Sequence, residues 1–106
     1  MPTLPTWSGA SSFDYTGSVK HGTKIRYGNN GAFSVTMTAL QYTTLLNYFR
    51  RRTVEIGTSR TQPPRGSLGE WLQANVTRTA IASYVGPILI AEGFAARDGS
   101  TRIRFR

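Results

Sequence analysis

Apolar residues recur along this chain with two different periods. Between Thr38 and Arg52 the period is that of a helix, with Tyr42, Leu45, Leu46 and Phe49 at i, i+3, i+4 and i+7. Ahead of them Thr38-Ala39-Leu40-Gln41 has the T-x-x-Q form of a capping box, in which hydroxyl and amide satisfy free helix donors. Arg50, Arg51 and Arg52 follow, where cations complement the negative end of a helix dipole. From Phe94 to Arg106 the period is two. Ile103 and Phe105 fall on one face of a strand, and Arg102, Arg104 and Arg106 on the other. Asp98-Gly99 predicts a tight type I′ turn joining that strand to Phe94–Arg97.

Between and before these segments the pattern is weaker. Lys24-Ile25-Arg26-Tyr27 and Ala32-Phe33-Ser34-Val35 flank Gly28-Asn29-Asn30-Gly31, whose residues accept positive φ, so a β-hairpin is predicted within residues 13–36. Thr53–Ile56 reads as a short strand, and the segment holding Pro63-Pro64 as a loop. Ser67-Leu68-Gly69-Glu70 is a second capping box and opens a short helix carrying Leu68, Trp71 and Leu72. After a turn at Ala74–Val76, a third helix is expected from about Thr77. Its core face holds Ile81, Val85, Ile88, Leu89 and Glu92, and its polar face Arg78, Thr79, Ala82 and Ser83. Gly86-Pro87 interrupts it. Pro87 has no amide to donate to the Ser83 carbonyl, which predicts a bulge over Ser83–Gly86. Residues 1–12 lack periodicity and read as a flexible arm, with Trp7 as the one anchor.

Length and composition add limits. A chain of 106 residues fits one domain, here 13–106, with 13–36 as a hairpin extension and 37–106 as its core. No apolar run approaches the roughly 20 residues that cross a bilayer, and the first residues lack a signal-peptide pattern. No membrane association and a cytoplasmic setting, nucleoid-associated in a bacterium, are therefore expected. Cysteine is absent, and His21 is the single histidine. Thiolate chemistry and the usual zinc sets are excluded.

Charge changes the picture most. Thirteen basic residues against five acidic give a formal net charge of +8, and all but Lys20 and Lys24 of the basic set are arginine. The planar guanidinium fork suits phosphates and guanine edges, so a nucleic-acid partner is expected.

Taken from residue 36 onward, the order is helix, short strand, helix, turn, helix, strand, tight turn, strand. In SLGEWLQANVTRTAIASYVGPILIAEGFAARDGSTRIRF this order resembles the winged-helix form of the helix-turn-helix, over about two thirds of the chain. The resemblance implies an α+β fold: a winged-helix domain of three helices and a C-terminal hairpin wing, with the N-terminal hairpin added. It implies duplex-DNA binding in transcription regulation, with the start of helix three in the major groove. Thr77, Arg78, Thr79 and Ser83 would then line the contact, Arg78 pairing with guanine and Thr77 and Thr79 reaching phosphates or a thymine methyl. Arg97, Arg102 and Arg104 on the wing would face the backbone or minor groove. A homodimer joined through the extension or through Trp7, Phe13 and Tyr15 follows by the same analogy.

An enzyme is not expected. The five carboxylates Asp14, Glu55, Glu70, Glu92 and Asp98 do not cluster in the sequence, and one histidine cannot complete a general acid and base set. No cofactor, metal site or small-molecule ligand is implied. The rival reading is a winged-helix protein-interaction subunit of a nucleic-acid-handling complex. Binding of RNA or single strands is a third, weakened because no aromatic platform at strand spacing stands out.

Overall fold

The computed structural model describes residues 3–106. It is an α+β domain of three helices and two antiparallel sheets. The first sheet has the order β1-β2-β3-β4, from strands Thr3–Pro5, Ser12–Ser18, Gly22–Tyr27 and Phe33–Met37. The helix α1, Ala39–Tyr48, follows directly. Then come β5 at Thr53–Glu55, α2 at Leu68–Asn75, α3 at Ala82–Ala91, β6 at Ala95–Asp98 and β7 at Arg102–Phe105. The second sheet has the order β5-β7-β6, so the strand between the first two helices pairs with the last strand of the chain. Among the described residues no helix is long and apolar enough to cross a membrane.

Locally written signals hold. Thr38 Oγ1 accepts from the Gln41 amide and the Gln41 side chain accepts from Thr38, closing the capping box of α1. The Gly28–Gly31 turn has positive φ at Gly28, Asn30 and Gly31. Ile103 and Phe105 are buried and Arg102, Arg104 and Arg106 exposed. The second capping box is half formed. Ser67 Oγ accepts from the Glu70 amide, but the Glu70 carboxylate reaches one residue further back, to the Gly66 amide at 2.8 Å.

Four expectations need correction. The N-terminal region is a four-stranded sheet and not a hairpin extension, because Phe13 and Tyr15 alternate inward on β2 and place it beside β3. The reading of residues 1–12 as a flexible arm gives way from Thr3 onward, since β1 pairs with β2 and Trp7 is 4 % exposed; residues 1–2 lie outside the described residues. Helix three starts at Ala82 and not at Thr77. The amides of Val76 and Thr77 both turn back to the Leu72 carbonyl, and Thr77 Oγ1 accepts from Thr79, a local bond that competes with helix. The β6–β7 turn is a three-residue loop, Gly99–Thr101, and not the tight Asp98-Gly99 turn, because Asp98 itself pairs with Arg102 in the ladder.

One core joins the two halves. Phe13, Tyr15, Ile25 and Met37 of the first sheet pack in the same cluster as Tyr42, Leu45, Phe49, Leu72, Val85, Ile88, Leu89 and Ile103. Tyr15, Phe13 and Trp7 are therefore core residues, and the dimer surface expected from them is not available. Glu92 ties the halves further, accepting from the Tyr15 hydroxyl and the Val19 amide, each at 2.9 Å. Burial, with the Glu92 carboxylate beside it, pushes the Tyr15 hydroxyl up to about 12.

Candidate nucleic-acid interface

The Gly-Pro step inside α3 determines what that helix can face. The helix runs unbroken through Pro87, so the expected bulge is absent. The carbonyl of Ser83, which Pro87 cannot satisfy, instead accepts the backbone N–H of Trp7 at 3.0 Å. Gly86 makes the room. A Cβ there would stand 3.0 Å from Trp7 Cε3 and 2.8 Å from Ile56 Cδ1. The indole N–H reaches the Ser100 carbonyl at 2.8 Å, in the β6–β7 loop. Gly86-Pro87 is thus the seat for Trp7, and the N-terminal segment lies along α3.

That seam encloses the helix. Ala82, Val85, Gly86, Ile88 and Leu89 are buried, Ser83, Tyr84, Pro87 and Ile90 are half-buried, and only Ala91 is exposed. Ala82, expected on the polar face, is fully buried in the core, since α3 packs against α2, β1 and β6. Thr77, Arg78 and Thr79 stand on the loop before the helix, with Arg78 and Thr79 exposed. Thr79 and Ser83 line one groove; Arg78 is beside it in sequence.

The arginines of β6 and β7 divide. Arg97 lies over the Trp7 ring, its guanidinium carbon 3.9 Å from the centroid, and donates through Nη2 to the Trp7 carbonyl. Arg102 stands between Glu55 and Asp98, its cross-strand neighbours on either side, with Nε 3.6 Å from Glu55 Oε1. That is the one ion pair among the described residues. Arg104 has Thr53 and Ala96 as its neighbours and no carboxylate opposite.

At the Arg104 end the chain adds more cations. The Arg51 amide donates to the Arg106 carbonyl and the Phe105 amide to the Arg52 carbonyl, so the turn after α1 runs beside the end of β7. Arg50, Arg51, Arg52, Arg104 and Arg106 are gathered there, all exposed. Arg52 lies across Tyr48 and Phe49, 5.2 and 5.6 Å from their ring centroids, and donates to the Tyr48 carbonyl. Arg51 has φ +60°, a left-handed conformation that glycine takes freely and a side chain with a Cβ resists. Sequence position explained this triplet as helix-end charge. Its meeting with Arg104 and Arg106 depends on the β5–β7 pairing, which no local pattern displays.

A second feature was not foreseen. Tyr27 and Phe33 are direct cross-strand partners on β3 and β4, and their rings stack at 5.6 Å and 23°. Tyr84 of α3 stacks on Tyr27 in turn, at 4.8 Å and 24°. The expectation that no aromatic platform exists at strand spacing is therefore overturned. The signal was present in the two aromatics that close the Gly28–Ala32 loop symmetrically, while the third ring arrives from 57 residues along the chain.

Neither a protein family, nor a curated protein sequence, nor a solved structure matches this chain, so its function is argued from the arrangement of these residues.

Proposed function

We propose that the chain is a non-enzymatic nucleic-acid-binding protein of winged-helix type, which holds duplex DNA by its phosphate backbone at the Arg104 end of the second sheet. Five arginines gathered where no carboxylate pairs with them among the described residues carry this reading. Charge on a solvated surface is ordinary, but here one member, Arg51, occupies a backbone conformation better suited to glycine. Retained strain of that kind favours a use for the side chain. The order of helices and the β5-β7-β6 pairing support the winged-helix assignment.

The contact surface differs from the one implied by the resemblance. With α3 enclosed, base-edge contact falls to the Thr77–Ala80 loop, where Arg78 presents a fork suited to guanine O6 and N7. Backbone contact falls to Arg50, Arg51, Arg104 and Arg106. Each phosphate neutralised releases condensed counterions and steepens the salt dependence of binding by about one unit.

Fluorescence anisotropy with random-sequence duplex across a salt series tests the proposal. The parent chain is expected to bind with a steep slope that flattens in an Arg50→Ala/Arg51→Ala/Arg104→Ala/Arg106→Ala variant. Absence of duplex binding at low salt would overturn it.

A further inference from the structure

The core-facing side of the first sheet continues past the edge of the core. Tyr15, Ile25 and Val35 form one cross-strand row, and Tyr27 and Phe33 lie on the same face beyond it. Tyr84 covers Tyr27, but Phe33 is 61 % exposed at the outer edge. The exposed ring is held in place. Gly28 lies against it so closely that a Cβ there would be 2.7 Å from Phe33 Cδ2. Phe33, Tyr27 and Tyr84 thus form a ladder in which each adjoining pair of rings is stacked, at 23° and 24°, braced at its inner end by an edge-to-face contact of Phe13 with Tyr84 at 5.1 Å.

Beside the ladder is a groove of about 480 Å³. Besides Tyr27, Phe33 and Tyr84, it is lined by Arg60, Thr79 and Ser83, and no carboxylate borders it. We infer that this groove takes an unpaired nucleobase of a single-stranded nucleic acid, stacked on the Phe33 end of the ladder. A π-face accepts any base, which gives affinity with little sequence preference. The Thr79 and Ser83 hydroxyls both donate and accept, so they match base edges of either polarity. Arg60 supplies the cation for the adjoining phosphate. An apolar peptide or lipid chain would gain from the rings, yet it would leave these hydroxyls and the guanidinium without a partner.

The inference rests on the nucleic-acid reading above, but its stacking residue, Phe33, has no part in the duplex surface, so the two separate in experiment. The probes are oligodeoxythymidylate, oligoribouridylate and random duplex, at one fixed low salt concentration. The proteins are the parent, Phe33→Ala, and Phe33→Trp, whose indole keeps the stacking surface and adds a fluorescence signal. The expected result is single-strand binding that weakens about 5- to 150-fold in Phe33→Ala. Phe33→Trp should retain that binding, with its additional emission quenched by the oligonucleotide. Duplex binding should be the same in all three proteins. Phe33 is exposed, so its replacement leaves the core intact. Deoxy and ribo oligonucleotides bound alike would mean that base and phosphate are read without the sugar; a preference would identify which nucleic acid the groove serves. If the parent binds duplex and Phe33→Ala loses no single-strand affinity, the groove is not a base site and only this inference fails. If the parent binds neither form, the nucleic-acid reading fails with it.

Discussion

Arg102 and Arg104 stand two residues apart on β7 and project from the same face of one sheet, but the strands beside them give them opposite settings. Arg102 has a carboxylate on each flank, Glu55 on β5 and Asp98 on β6. Arg104 has a threonine and an alanine. On β6, opposite Ile103, Arg97 is likewise spent within the protein, on the ring and carbonyl of Trp7. The opposite end continues as Arg104 does, into Arg106 and the turn that carries Arg50 and Arg51. Alternating and clustered arginines look alike as a sequence pattern. Pairing across strands separates those with partners inside the protein from those left free for the proposed contact.

The largest expected effect breaks the tip end. Trp7→Ala removes a buried indole from its seat on Gly86, and urea unfolding should show a loss of about 3–5 kcal/mol. Arg51→Gly acts on the other end and should separate stability from binding. Relief of the left-handed backbone is expected to add about 1–2 kcal/mol to unfolding free energy, while duplex affinity falls. A variant that gains neither stability nor loses affinity would remove Arg51 from the account. Arg97→Ala should cost about 0.5–1 kcal/mol through the lost contact with Trp7, as measured by the same unfolding experiment, with no change in the salt slope of binding.

A pH-dependent effect belongs to the contact between β2 and the end of α3. The Tyr15 hydroxyl has its pKa raised from 10.0 to about 12 in the folded chain. Its contribution is complete below pH 10 and is lost as pH rises toward 12, because the unfolded chain gives up the proton first. The melting temperature should fall across that window, and less steeply in Tyr15→Phe. An equal slope in both proteins would contradict the assignment.

What could be read from residues alone was local. The capping box at Thr38, the left-handed turn at Gly28–Gly31 and the alternation of β7 each depend on neighbours within a few positions, and each is found. Residues whose roles are set by distant partners could not be read in this way. Trp7 looked like part of a loose arm because its seat is nearly 80 residues away, and Gly86-Pro87 looked like damage to a helix because the donor for Ser83 comes from Trp7. Thr77–Ala80 leads into a helically spaced apolar face that starts at Ile81, but the end of α2 and the Thr77–Thr79 contact keep it out of the helix. The candidate site suffered most. Arg78 and Thr79 remained exposed, yet Ala82 went into the core, and the gathering of Arg50 to Arg52 with Arg104 follows from sheet register.

The most direct test of the account compares Arg104→Ala with Arg102→Ala. Duplex-DNA binding would be followed by anisotropy over a series of salt concentrations. Arg104→Ala is expected to lower the slope of log affinity against log salt by about one. Arg102→Ala should leave the slope where it was, since its charge is already answered by Glu55 and Asp98. Equal slopes for the two variants, or a larger change in Arg102→Ala, would contradict the division of the sheet on which the proposed interface stands.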